Sequence, residues 1–172
     1  TAGSGVHGYS SPRGVAATND HIYITNLNNQ RLDRVRISDA LYMGWHGMVN
    51  TDPTDGGGNC VNTTTNGITP GWCIGGTAKG TGELGGYNGP RSIAYDSSEN
   101  KLYVTDTGKV AKVDGTTGIM SGMIGHISTV GAGCTIVGQG ASGWCGANAI
   151  AGTGSSYYGA TNDATGIAVN SL

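Results

Sequence analysis

The sequence predicts an all-β protein assembled from repeated four-stranded antiparallel units, two of them complete and a third begun. Three observations lead to this reading. The segment HGYSSPRGVAA at residues 7–17 returns as GYNGPRSIAYD at 86–96 and, more loosely, as GATNDATGIAVN at 159–170. Arg13 and Arg91 are 78 residues apart, and Arg91 and Thr165 are 74 apart, a period long enough for one supersecondary unit per copy. Within each copy, short runs alternate between apolar and polar residues and are bounded by Gly, Asn, Asp, Ser and Thr, with no helical period. Composition agrees. Gly supplies 33 of 172 residues and charged residues only 12%, against about 7% and about 25% in ordinary domains. Recurrent Tyr, Ile, Val and Thr at strand spacing and a net charge of −2 set the chain apart from disordered sequences.

Residues 1–7 read as the tail of a preceding repeat. Repeat 1 spans 8–85, with a four-stranded part at 8–49 and an insert at 50–85. Its strands are expected at Gly14–Ala17, His21–Thr25, Leu32–Ile37 and Leu41–Val49. Repeat 2 spans 86–158, with strands at 86–127 and an insert at 128–158. There Pro90 fixes φ and opens an extended segment, and Ser92–Asp96 is the first strand. The polar turn Ser97–Asn100 offers side chains that bond local backbone. Lys101–Asp106 alternates with period two, so Leu102 and Val104 share one face, as Ile22 and Ile24 do in repeat 1; both pairs are expected to be buried. Thr107-Gly108 turns the chain into Val110–Asp114, and Gly115–Gly118 turns it into Ile119–Ile127. Residues 159–172 begin a third copy whose first strand, Gly166–Val169, is expected to present an open edge for pairing with another chain. The chain thus reads as a piece of a longer repeat protein, or as a protomer whose neighbours supply the missing strands. Its first residue, Thr1, points to processing or excision.

The inserts carry the four cysteines, Cys60, Cys73, Cys134 and Cys145, at matching places, and each insert holds a Gly-Trp-Cys step: Gly71-Trp72-Cys73 and Gly143-Trp144-Cys145. Four cysteines allow three connectivities. Register favours closure within each insert, Cys60 with Cys73 and Cys134 with Cys145, worth about 3 kcal/mol per loop of this size. Structural zinc, the rival, favours shorter C-x(2–4)-C spacings. Persistent disulfides imply an oxidising compartment, hence an extracellular or cell-surface location.

A four-stranded meander cannot bury both faces alone. Copies packed face to face around an axis do so and protect their edges, which is the β-propeller arrangement. The run Pro90-Arg91-Ser92-Ile93-Ala94-Tyr95-Asp96, then Leu102-Tyr103-Val104-Thr105-Asp106-Thr107-Gly108, then Lys112-Val113-Asp114 resembles the NHL-repeat blade. Asn29-Gln30-Arg31-Leu32 is similar to that family's Asn-His-Arg-Val step, which repeat 2 shortens to Lys109-Val110. The Gly-rich, Cys-bounded loops resemble those of long-repeat, NHL-like bacterial surface proteins. The resemblance implies a propeller-like fold and a range of functions, from binders and scaffolds to a few enzymes, among them a zinc-dependent peptide-amidating lyase whose ligands do not map onto this chain.

Among His7, His21, His46 and His126 there is no HxH or HxxxH spacing, so no metal or catalytic motif is suggested. Residues 50–59, with Asp52 and Asp55, are rich in oxygen donors but lack the Gly and Glu placements of a calcium loop; a polar turn cluster is the better reading and calcium the weaker one. Trp72 and Trp144 either cover their own disulfides or serve as exposed stacking platforms for a sugar or protein. Asn62-Thr63-Thr64 is a glycosylation sequon. No G-x-S-x-G elbow, phosphate-binding loop or paired carboxylates appear, and no cofactor is implied. Weak charge gives no basic footprint for nucleic acid, and no run of 18 apolar residues suggests a membrane span. The expectation is a secreted or surface structural module for scaffolding, adhesion or fibre assembly, with further copies of itself or the rest of a longer chain as partner, and glycan as another candidate. An extracellular propeller lyase or hydrolase, or a carbohydrate-binding propeller, is the alternative.

Overall fold

A computed structural model describes residues 7–81, 85–125, 127–129, 131–134, 143–146, 150–151 and 165–170. Among these residues the fold is all-β, and every pairing between strands is antiparallel. The first sheet is a meander of β1 (Pro12–Ala17), β2 (His21–Asn26), β3 (Arg31–Arg36) and β4 (Tyr42–His46). After β5 (Met48–Thr51), the insert adds β6 (Asp55–Gly56), a 3-10 turn at Cys60–Asn62, β7 (Cys73–Ile74) and β8 (Thr77–Lys79). The second sheet is the meander of β9 (Ile93–Asp96), β10 (Lys101–Asp106), β11 (Lys109–Asp114) and β12 (Met120–Gly125), followed by β13 (Ile127–Thr129) and β14 (Ile150–Ala151). The described residues form no closed barrel or ring.

Both fourth strands differ from expectation in the same way. The run expected over Leu41–Val49 breaks at Gly47. β4 stays in the first sheet, whereas β5 leaves it and pairs with β8. In the second unit β12 ends at Gly125 and β13 pairs with β14. The first insert thus carries strands of its own, and in both units a segment near the insert's end, β8 or β14, returns to pair with β5 or β13. Gly47 and Gly125 sit where the chain changes sheet. A Cβ at Gly125, where φ is +155°, would lie 2.2 Å from the Gly108 carbonyl oxygen, so only Gly permits this departure. The insert also widens the first sheet, whose order is β1-β2-β3-β4-β7-β6. Cys73 pairs with Trp45 of β4, and Cys145 bridges to Met123 of β12 in the same way.

The two sheets pack face to face. Alternation along the strands gives each sheet two faces. On the first sheet, Ala16, Tyr23, Leu32 and Trp72 turn toward the second. On the second, Ile93, Leu102, Val104, Ala111, Val113 and Met120 turn toward the first. Leu102 and Val104 are fully buried, as expected. Ile22 and Ile24 are only half-buried, and Tyr23 is buried in their place. Each pair does lie at the equivalent position in its own unit. The second sheet, however, covers the Tyr23 face of β2, not the Ile22/Ile24 face. Residues 165–170, expected to hold the third copy's first strand, carry no strand and have no ladder partner among the described residues.

Candidate functional site

The junction between the sheets is built on one recurring constellation. Tyr23 on β2 and Arg34 on β3 face each other across the ladder. Trp72, brought alongside by the pairing of Cys73 with Trp45, lies 5.6 Å from the Tyr23 ring, centroid to centroid, with the Arg34 guanidinium 4.7 Å over its own ring. The second unit's hairpin turn completes the contact. Tyr23 donates its hydroxyl to the Gly115 carbonyl at 2.9 Å, and Arg34 Nη1 donates to the Thr116 carbonyl at 3.0 Å. Thr25 Oγ1 donates to the Arg91 carbonyl at 2.7 Å. The Trp72 indole rests on Gly118, where φ is +77° and an added Cβ would come within 2.9 Å of the ring. Burial pushes the Tyr23 hydroxyl up to about 12 and lowers the Arg34 guanidinium.

The same constellation stands on the far face of the second sheet. Tyr103 faces Lys112 across β10 and β11. Trp144, placed by the bridge of Cys145 to Met123, lies 5.6 Å from the Tyr103 ring, with the Lys112 ammonium 5.5 Å over it. Here the polar groups meet a carboxylate of their own unit: Glu99 Oε2 accepts from the Tyr103 hydroxyl at 3.3 Å and pairs with the Lys112 ammonium at 2.7 Å, and among the described residues no second sheet covers the face. Trp144 is 38% exposed where Trp72 is 3% exposed. Of the two readings for the tryptophans, Trp144 fits the exposed platform. Trp72 seals the sheet junction, and its ring partners are Tyr23, Arg34 and Gly118.

Disulfides hold both indoles in place. Cys60 pairs with Cys73 and Cys134 with Cys145, with Cα–Cα distances of 5.5 and 5.2 Å. Each closes a loop within its insert, and the second cysteine of each pair bonds by backbone to β4 or β12 of its own sheet. This restrains Gly-rich chain that would otherwise lose much entropy on ordering. Two disulfides fit a non-reducing compartment. No helix among the described residues is long and apolar enough to cross a membrane.

Sequence reasoning missed a second feature, a set of buried ionic groups at one end of the sheets. Arg31 and Asp33 are buried and 2.8 Å apart, with Tyr42 and Asn26 donating to the Asp33 carboxylate at 2.6 and 2.8 Å. Burial raises the Asp33 carboxyl, and Arg31 and these donors oppose the rise. In the second unit, Lys109 lies 3.4 Å from Asp106 and donates to the Gly86 carbonyl at 2.7 Å; both charged groups are fully buried. Asp106 also accepts two bonds from the Asn88 amide. Beside this pair, His46 is enclosed, with Nδ1 3.3 Å from the Tyr87 hydroxyl. Desolvation first, and then Lys109, lower it to about 3, so it stands neutral. The signal was present: Asn26 and Arg31 correspond to Asp106 and Lys109, while Asp33 corresponds to Ala111. Each unit keeps one acid and one cation, and the acid moves from the third strand of the first meander, β3, to the second strand of the other, β10.

The remaining expected site residues are dispersed. Asp52 accepts the Thr65 amide at 2.8 Å and Asp55 the Gly56 amide at 2.7 Å, both exposed, as turn-forming carboxylates do. Among the described residues, no group of three His, Cys, Asp or Glu side chains comes together. Asn62 is exposed at the end of the 3-10 turn and donates to Asn59. His7 stacks 4.8 Å from Tyr42 and His21 is partly exposed on β2; His126 lies outside the described residues. Neither a protein-family model nor a curated protein matches the chain.

Proposed function

We propose that this chain is a structural interaction module of a secreted or cell-surface protein, built from NHL-like, propeller-type blades and serving in scaffolding, adhesion or fibre assembly. The observation that carries the reading is the pair of equivalent sheets, each with its own disulfide and each presenting a Tyr–cation–Trp face. In one unit that face already serves as a packing surface. The buried ionisable groups support it as well. Arg31–Asp33, Lys109–Asp106 and His46–Tyr87 are spent on each other and on backbone carbonyls, the pattern of a structural network more than of a poised acid and base. Labelling intact cells of the source with a membrane-impermeant amine reagent, together with thiol titration of the purified chain, tests the assignment. The reading requires surface or medium labelling and no free thiols. Recovery of the labelled protein only after lysis, with four titratable thiols, would remove its basis.

A further inference from the structure

The two outward faces of the molecule are the two halves of its internal junction. On one side stand Tyr103, Lys112 and Trp144, equivalent to Tyr23, Arg34 and Trp72. On the other stand Val15, Ile22, Ile24 and Val35 on the first sheet, equivalent by strand register to Ile93, Leu102, Val104 and Val113 on the second. Their exposure matches their isolation: Val15 is 67% exposed, whereas Ile93 is 6% exposed. The hairpin turns correspond as well. Arg36 and Ile37 donate to the carbonyls of Leu41 and Asp20 at 2.8 Å each. Asp114 and Gly115 donate to those of Ile119 and Asn100 at 2.9 and 3.0 Å. Ala40, at φ +56°, thus occupies the place of Gly118 at φ +77°.

We infer that a second copy of this chain docks head to tail, its Val15/Ile24 face covering the Tyr103–Lys112–Trp144 face of the first and repeating the internal junction. Each contact has a counterpart. On docking, the Tyr103 hydroxyl turns from Glu99, which it meets at 3.3 Å, to the Ile37 carbonyl of the second copy, as Tyr23 meets Gly115. Lys112, paired with the exposed Glu99 at 2.7 Å, reaches the second copy's Ser38 carbonyl as Arg34 reaches Thr116. Trp144 lies on its Ala40, whose methyl stands where Gly118 has none and holds the indole slightly off the backbone. The surfaces joined are different, so the contact is heterologous and can propagate or close into a ring. The inference rests on the reading of the chain as an interaction module, and it names that module's partner surface.

Heterologous docking makes a prediction that a two-fold symmetric dimer does not. Trp144→Asp removes one face and Val15→Asp the other. Each variant alone should lose self-association by at least tenfold, because buried Trp anchors and charge-free apolar surface carry such interfaces. Mixed in equal amounts, the two variants should recover a dimer and nothing larger, since each supplies the face the other lacks. Lys112→Met should weaken association as Trp144→Asp does, and it guards against a local folding defect because it sets no second carboxylate against Glu99. Ala40→Gly should tighten association. Sedimentation equilibrium of the full, disulfide-intact chain reads all of these. A wild-type chain that stays monomeric up to about 1 mM, or one whose association survives both variants, overturns the inference. So does a mixture in which assembly is not restored. In the last two cases the chain still self-associates and the interaction-module reading stands. That reading is decided separately, by surface labelling and thiol state.

Discussion

Truncating Trp72 and Trp144 in turn separates a sealed junction from an open one. The two indoles have the same neighbours, a tyrosine with ring centroids 5.6 Å away in each case and a cation above the ring. They differ in whether a sheet covers them. Removing a fully buried Trp side chain costs about 3–5 kcal/mol. Trp72 should fall at the low end, because its Nε1 is buried without a hydrogen-bond partner and truncation releases that penalty of about 1–3 kcal/mol. Trp72→Ala is therefore expected to lose about 3 kcal/mol. Trp144→Ala, measured at concentrations where the chain is monomeric, should lose about 1 kcal/mol or less, because the indole keeps much of its contact with water and the cation–π contribution at such sites is about 0.5–1 kcal/mol. Urea unfolding followed by near-ultraviolet circular dichroism, with disulfides intact, gives both values. Equal losses for the two variants would refute the claim that the second sheet seals Trp72.

Three further outcomes follow from the same geometry. Gly118→Ala should destabilise the fold by about 2–4 kcal/mol, from a side chain at positive φ and from its clash with the Trp72 ring, as thermal unfolding would show. Lys109→Met should cost about 3–5 kcal/mol by stranding the Asp106 carboxylate in the interior, and Asp106→Asn added to it should restore much of that loss in a double-mutant cycle. His46, lowered to about 3 in the fold, is protonated more readily when unfolded, so its contribution is complete above about pH 6.5 and shrinks as pH falls toward 3, by at most about 1.4 kcal/mol per pH unit. His46→Gln should flatten that slope; an unchanged slope would mean that the imidazole is not enclosed.

The all-β class and most strand positions were legible because the period-two alternation at Lys101–Asp106 and the Gly- and Asn-bearing turns are local signals. The register of the cysteines likewise placed them in equivalent inserts. The choice of face was not legible. Ile22 and Ile24 alternate like Leu102 and Val104, and only the arrangement of the sheets decides that Tyr23 is covered instead. The break at Gly47 was hidden inside a continuous apolar run, Trp45 to Val49, since its cause is a distant partner, β8. The burial of Lys109 was not legible in the shortened Lys109-Val110 step, because its acid, Asp106, sits on β10 whereas the acid of the first unit, Asp33, sits on β3. The fate of Trp144 followed neither from its motif, shared with Trp72, nor from its neighbours, but from which sheet faces which.

The central claim is that the outer face of the second sheet is a copy of the internal junction that no second sheet covers among the described residues. Fluorine resonances of the chain labelled with 5-fluorotryptophan test it most directly, because Trp45, Trp72 and Trp144 are the only tryptophans. At low concentration, the solvent isotope shift should mark Trp144 alone as exposed. With rising concentration, that resonance alone should move and lose its isotope shift, approaching the behaviour of Trp72. A Trp72 resonance as exposed as that of Trp144, or a Trp144 resonance unmoved at every concentration, would contradict the account.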